Sequence, residues 1–157
     1  MPAMTNIVLR DDQTSVATKT LIPIVSDGNM SVWRENAANV PIDGQIKLTG
    51  QWERMKDGTY RLNAKLEVPV METAGAGGAY VAPPKVAYKV TASLTLYAPS
   101  RSTIADRANA MKMLSAVLCG ADATAGTTLS PQSVTGDAWK NSALPFVFGF
   151  INQAFPT

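Results

Sequence analysis

Three stretches of this chain set a polar side chain at every second position. In "QIKLTGQWERMKDGTYRLNAKLEV" (Gln45 to Val68), Lys47, Thr49, Gln51 and Glu53 alternate with Ile46, Leu48 and Trp52. After Asp57-Gly58, Arg61, Asn63, Lys65 and Glu67 alternate with Tyr60, Leu62, Ala64, Leu66 and Val68. In Val86 to Pro99, Lys89, Thr91, Ser93, Thr95 and Tyr97 alternate with Tyr88, Val90, Ala92, Leu94 and Leu96. Strand side chains point to opposite faces in turn, so each stretch carries one apolar and one polar face. Lys and Arg neutralise phosphates, while Thr, Asn and Gln hydrogen-bond splayed-out bases. Water, another chain or such a ligand could each lie against this face, and a wet face is normal for an antiparallel sheet.

Most other chemistries lack their parts. There is no His and a single Cys, Cys119. That removes His acid–base catalysis, Ser–His triads and His metal ligands. One thiol cannot build an internal disulfide or a Cys-rich zinc site. No carboxylate pair stands in a clear catalytic setting, so neither an enzyme nor a cofactor is expected. Met111 and Met113 read as adaptable packing, and Cys119 as a small buried apolar residue. The net charge of +2 is too small to argue for nucleic acid alone, yet it permits a local basic patch. No apolar run approaches the roughly 18 residues of a membrane span. The start, "MPAMTNIVLRDD", lacks the basic and apolar regions of a signal peptide. A soluble chain made in the cytoplasm is expected, with no membrane partner.

The elements that would position the polar face follow from periodicity. At 157 residues one domain is the default. "TNIVLRDD", "TKTLIPIVSDG" and "NMSVWREN" are strand candidates; Pro23 suggests an edge or a bulge, and Asp27-Gly28 a hairpin turn. Gly50 marks a bulge or a close approach. Met71 to Lys85, Gly-rich and closed by Pro83-Pro84, is a loop, either a plain hairpin tip or a functional one. The period then changes. A helix is expected over 102–119, opened by a capping box of Thr103 and Asp106 and stopped by Gly120. Ile104, Ala108, Met111, Leu114, Ser115 and Leu118 form one of its faces. Residues 121–157 have no clear assignment; alternating Phe146, Phe148 and Phe150 favour an extended stretch there.

In order and in wording the chain resembles the coat proteins of single-stranded RNA bacteriophages, the leviviruses. The resemblance covers roughly Asn6 to Gly120. It rests on "IVLRDD", "NMSVWREN", "IKLTGQWERMKDGTYRLNAKLEVPV" and "YKVTASLTLYAPSRS", with "KLEVPV" and "LTLYAPS" the most specific pieces. It implies an α+β fold: an N-terminal hairpin and a five-stranded antiparallel sheet (5–99), then C-terminal helical structure. It also implies an interlocked, obligate homodimer whose sheets join edge to edge and whose helices reach over the partner, building an icosahedral virion inside a bacterial host. In relatives the inner sheet face binds an RNA hairpin that represses replicase translation and marks the genome for packaging.

Carried over residue by residue, the RNA-contacting positions are Lys47, Thr49, Gln51, Arg61, Asn63, Lys65, Lys89 and Thr91. Two departures stand out. Where relatives stack a base on an aromatic ring, this chain has Ala87 or Lys89, and Glu53 occupies a place where a cation would help. Tyr97 has the parity of the polar face but lies at a strand end. The resemblance also implies that the 71–85 loop surrounds the shell's symmetry axes. The alternative is a non-viral module that binds single strands on a sheet, which would want exposed aromatics on the polar face.

Overall fold

The computed structural model describes residues 4–72, 85–119, 129–141, 147 and 150–153. The glycines of the expected 71–85 loop, and Phe146 and Phe148, lie outside the described residues. The chain divides into two compact units, one of residues 1–8 with 20–100, the other of residues 9–19 with 101–157.

The first unit holds all but Leu9, Arg10, Thr18 and Lys19 of a sheet of six strands in chain order, each hydrogen-bonded to the next: β1 (Ile7–Arg10), β2 (Thr18–Asp27), β3 (Met30–Glu35), β4 (Lys47–Arg54), β5 (Tyr60–Met71) and β6 (Val86–Ala98). Pairing from β2 through β6 is antiparallel. The register shifts between Pro23 and Val25, so the proline, which has no N–H to give the ladder, sits at a bulge. Gly50 keeps the β4 register, opposite Ser31 and Ala64. A side chain there would meet the Trp52 ring at 3.2 Å, so close approach, and not a bulge, explains the glycine. At the β4–β5 turn Gly58 takes φ 82°, where glycine alone is unstrained. The Asp57 carboxylate accepts from the Thr59 N–H at 2.9 Å and the Thr59 hydroxyl at 3.0 Å, fixing that turn. Between β3 and β4 the chain makes a short 3-10 turn, Ile42–Gly44, which the alternation pattern does not announce.

In the second unit, α1 (Ile104–Cys119) begins at the expected capping box. The Asp106 carboxylate accepts from the Thr103 N–H at 2.9 Å and its hydroxyl at 2.8 Å, while the Asp106 N–H donates to the Thr103 hydroxyl oxygen at 3.2 Å. These bonds, the backbone one first, hold the Asp106 carboxyl below its ordinary range. Residues 129–141 pack on the loop formed by residues 11–17. The Asp12 carboxylate accepts the N–H groups of Trp139 at 3.1 Å and Lys140 at 2.9 Å. Arg10 donates to the Gln132 carbonyl at 2.8 Å, and the Thr14 hydroxyl to Asp137 at 3.0 Å. Asp137 also pairs with Lys140, which is the first cause of its lowered pKa. Val147, Phe150 and Ile151 are helical, which corrects the extended conformation expected from the Phe alternation. Cys119 is half-buried, not buried, and its carbonyl accepts the Leu129 N–H at 2.8 Å. No helix among the described residues is long and apolar enough to cross a membrane.

Much apolar surface stays bare in the single chain. The buried hydrophobic residues among those described are Leu21, Val32, Leu129 and Val147. On the sheet, Trp52 is 48% exposed and Tyr60 51%. The helix α1 has no buried residue, with Ile104 79% and Met113 68% exposed. Exposed apolar area on this scale marks an interaction surface.

A side chain at Gly136 would meet the Gln13 carbonyl oxygen at 1.9 Å, so backbone must move to admit one. Gly136→Ala is expected to loosen residues 129–141 from the 11–17 loop. Limited proteolysis should cut the variant there first, with amide exchange in β4 and β5 unchanged.

Candidate nucleic-acid interface

Strand register decides which side chains share a face. Thr49 of β4 lies opposite Lys65 of β5, which lies opposite Ser93 of β6. The next rows are Gln51–Asn63–Thr95 and Glu53–Arg61–Tyr97 on one side, and Lys47–Glu67–Thr91 on the other. Lys89 follows, opposite Pro69. All eight positions carried over from the resemblance therefore stand on one face of three adjacent strands. Ile46 precedes β4, but Leu48, Trp52, Leu62, Leu66, Leu94 and Leu96 have the opposite parity, as the alternation predicts.

Charge is distributed unevenly over this face. At one end Arg61 is ion-paired with Glu53, and its cross-strand neighbour Tyr97 is 60% exposed. At the other end Lys47, Lys65 and Lys89 surround one carboxylate. Lys65 donates to Glu67 at 3.0 Å. That hydrogen bond, then the charges of Lys65, Lys47 and Lys89, hold the Glu67 carboxyl below its ordinary value against the opposing effect of partial burial. Between the two ends the Thr95 hydroxyl is 3.5 Å from the Asn63 amide oxygen, a marginal contact that leaves both groups available.

Alternation alone misses Arg34. Register places it opposite Lys47, hence on the polar face. The flanking residues gave no signal, because Met30, Val32 and Arg34 are as mixed as Ser31, Trp33 and Glu35. Glu35 on the reverse side is buried and accepts the Ile46 N–H at 3.3 Å. On that reverse side, too, Arg54 lies 5.7 Å from the centre of the Tyr60 ring.

Elsewhere, a cleft of about 270 Å³ lies in the second unit, between Arg10, Asp12, Ser133 and Trp139. None of the polar-face residues lines it. No group of acidic residues or Cys able to hold a metal occurs among the described residues.

Comparison with known proteins gives a consistent result. The family model described as "Levivirus coat protein" matches residues 2–136. The bacteriophage EMS014 coat protein is 96% identical over 99% of this chain and 100% of its own, with a TM-score of 0.89. A virus-like particle of Beihai levi-like virus 21 is 26% identical, covers 78% of this chain and 90% of its own, and gives a TM-score of 0.61. An unassembled bacteriophage coat protein described as an RNA-binding dimer shares the fold at 20% identity and a TM-score of 0.52, over 75% of this chain and 86% of its own. A comparison with curated proteins found no match.

The Lys65–Glu67 pair makes a pH prediction. A carboxyl with a lowered folded-state pKa contributes stability above its ordinary value, 4.5 for this group, and loses it as pH falls through the lowered value. NMR titration should find the Glu67 midpoint below 4.5, and Lys65→Ala should raise it.

Proposed function

Because the chain belongs to the levivirus coat protein family, a structural protein and not an enzyme, we propose that it assembles as an obligate homodimer into an icosahedral shell whose inner wall contacts the phage's single-stranded RNA. The RNA contact rests on one observation above all: three lysines gathered around Glu67 at one end of a face that also carries hydroxyl and amide side chains. Lys47, Lys65 and Lys89 neutralise backbone phosphates, with Arg61 added once RNA competes for it with Glu53. Thr49, Gln51, Asn63 and Thr91 offer hydrogen bonds to unpaired bases. Ala87 or Lys89 stands where relatives stack a base, and stacking is worth about 1–3 kcal/mol per base. Selection of an operator hairpin therefore falls to the hydroxyl and amide groups, on a contact dominated by phosphate. The alternative, a non-viral strand-binding module, has only Tyr97 in its favour.

The dimer answers the bare apolar surface. Chain order leaves β6 at the sheet edge, thirteen residues long, with a row of unpaired backbone groups. Pairing β6 with its counterpart satisfies that edge, and exchange of α1 between subunits covers Trp52, Tyr60 and Ile104. The assembled product is the virion, made in the bacterial host's cytoplasm.

Replacing Lys47, Lys65 and Lys89 together with Ala should lower the RNA content of particles. It should also reduce the slope of log affinity against log salt by about 2, at about 0.7 per phosphate contact on single strands. Particles with unchanged RNA content would contradict the assignment. Equilibrium unfolding should shift to lower denaturant on dilution, as a dimer without a stable monomer requires. A concentration-independent transition, or a folded monomer in mild denaturant, would refute it.

A further inference from the structure

Resting on the reading that this face contacts RNA, we infer that Arg34 and Lys47 together form a phosphate clamp, extending the RNA track from β4 onto β3. The two residues are direct cross-strand partners on the same face. Directly opposed side chains of an antiparallel pair have Cβ atoms about 4.5–5.5 Å apart, and like charges so placed destabilise the sheet. Glu67, directly opposite Lys47 on β5, offsets part of the lysine's charge, but no carboxylate of the described residues stands directly opposite Arg34. The Arg34 guanidinium makes no hydrogen bond or ion pair with any described residue, and the residue's other cross-strand neighbour is Ile22. Glu35 points to the reverse face. Glu67 lies beyond β4, about 10 Å from Arg34 at the usual strand spacing, and its hydrogen bond goes to Lys65.

A bound anion would turn this repulsion into attraction. An RNA phosphate suits the site because the planar guanidinium donates two parallel hydrogen bonds to phosphate oxygens, while the lysine supplies a point charge. Arg34 is half-buried and Lys47 exposed, so the arginine is the more fixed of the two. Phosphates carry no sequence information, so the clamp sets register and affinity for RNA in general.

The test measures binding of a labelled uridine homopolymer to full-length protein across a salt series. Arg34→Gln should weaken binding about tenfold, as expected for loss of a charged hydrogen bond, and lower the salt slope by about 0.7. Without RNA the same variant should melt at or above the wild-type temperature, because a repulsion has been removed. Lys56→Gln removes one charge from the β4–β5 turn, away from the face, and should leave the slope unchanged. Arg34→Lys keeps the charge and loses the fork; it should retain the slope with weaker binding, and it serves if Arg34→Gln does not fold. Wild-type affinity in Arg34→Lys would overturn the forked contact. A wild-type slope in Arg34→Gln, with Lys47→Ala still lowering it, would overturn the clamp and leave the RNA face standing. Wild-type slopes in both would remove the RNA face as well.

Discussion

A slip of one residue between β4 and β5 would carry Lys65 to the side of Leu48 and Leu66 to the side of Thr49. Strand register is therefore the constraint on which everything else in the sheet depends. It is held locally at the β4–β5 turn by Gly58 at positive φ and by the Asp57 carboxylate on Thr59. It is held globally by cross-strand matching of apolar with apolar, Leu48 with Leu66 and Leu62 with Leu96. Because the register is fixed, four cations, Arg34, Lys47, Lys65 and Lys89, share one end of one face with a single carboxylate. The sheet does not need that concentration for its own stability. Exposed ion pairs such as Lys65–Glu67 contribute little to folding, on the order of 0–1 kcal/mol, so the value of the arrangement lies in its field.

The opposite face has the complementary problem. A sheet whose apolar side leaves Trp52 and Tyr60 about half exposed, together with a helix that buries none of its residues, is a poor solution for an isolated chain. As half of the proposed dimer it is reasonable, since each bare surface then has a partner to cover it. The helix carries apolar residues on several sides, Ile104, Met111, Met113, Val117 and Leu118 among them. That distribution fits a helix contacted from more than one direction better than one lying on a single sheet.

How much of this was legible in the sequence depended on the range of the interaction responsible. The alternation of β4, β5 and β6 is strong and local, so it suffices to set the eight polar positions on one face. The Thr103–Asp106 capping box spans three residues and was equally plain. Arg34 was hidden because neither face of β3 is uniformly polar; only its pairing with Lys47 assigns it. The Phe alternation misled because period two in a short apolar run does not exclude a helix, and Phe150 is helical. The binding of Asp12 to Trp139 and Lys140 has no local signature at all.

That last contact joins residues 127 apart in the chain. Every residue of the six-stranded sheet is synthesised before Trp139. The sheet can thus form early, from neighbouring hairpins of low contact order, whereas the 11–17 loop must wait for a partner from the last part of the chain. The carboxylate of Asp12, answered by two backbone N–H groups at once, makes the synthesis of Trp139 and Lys140 a condition for completing the second unit.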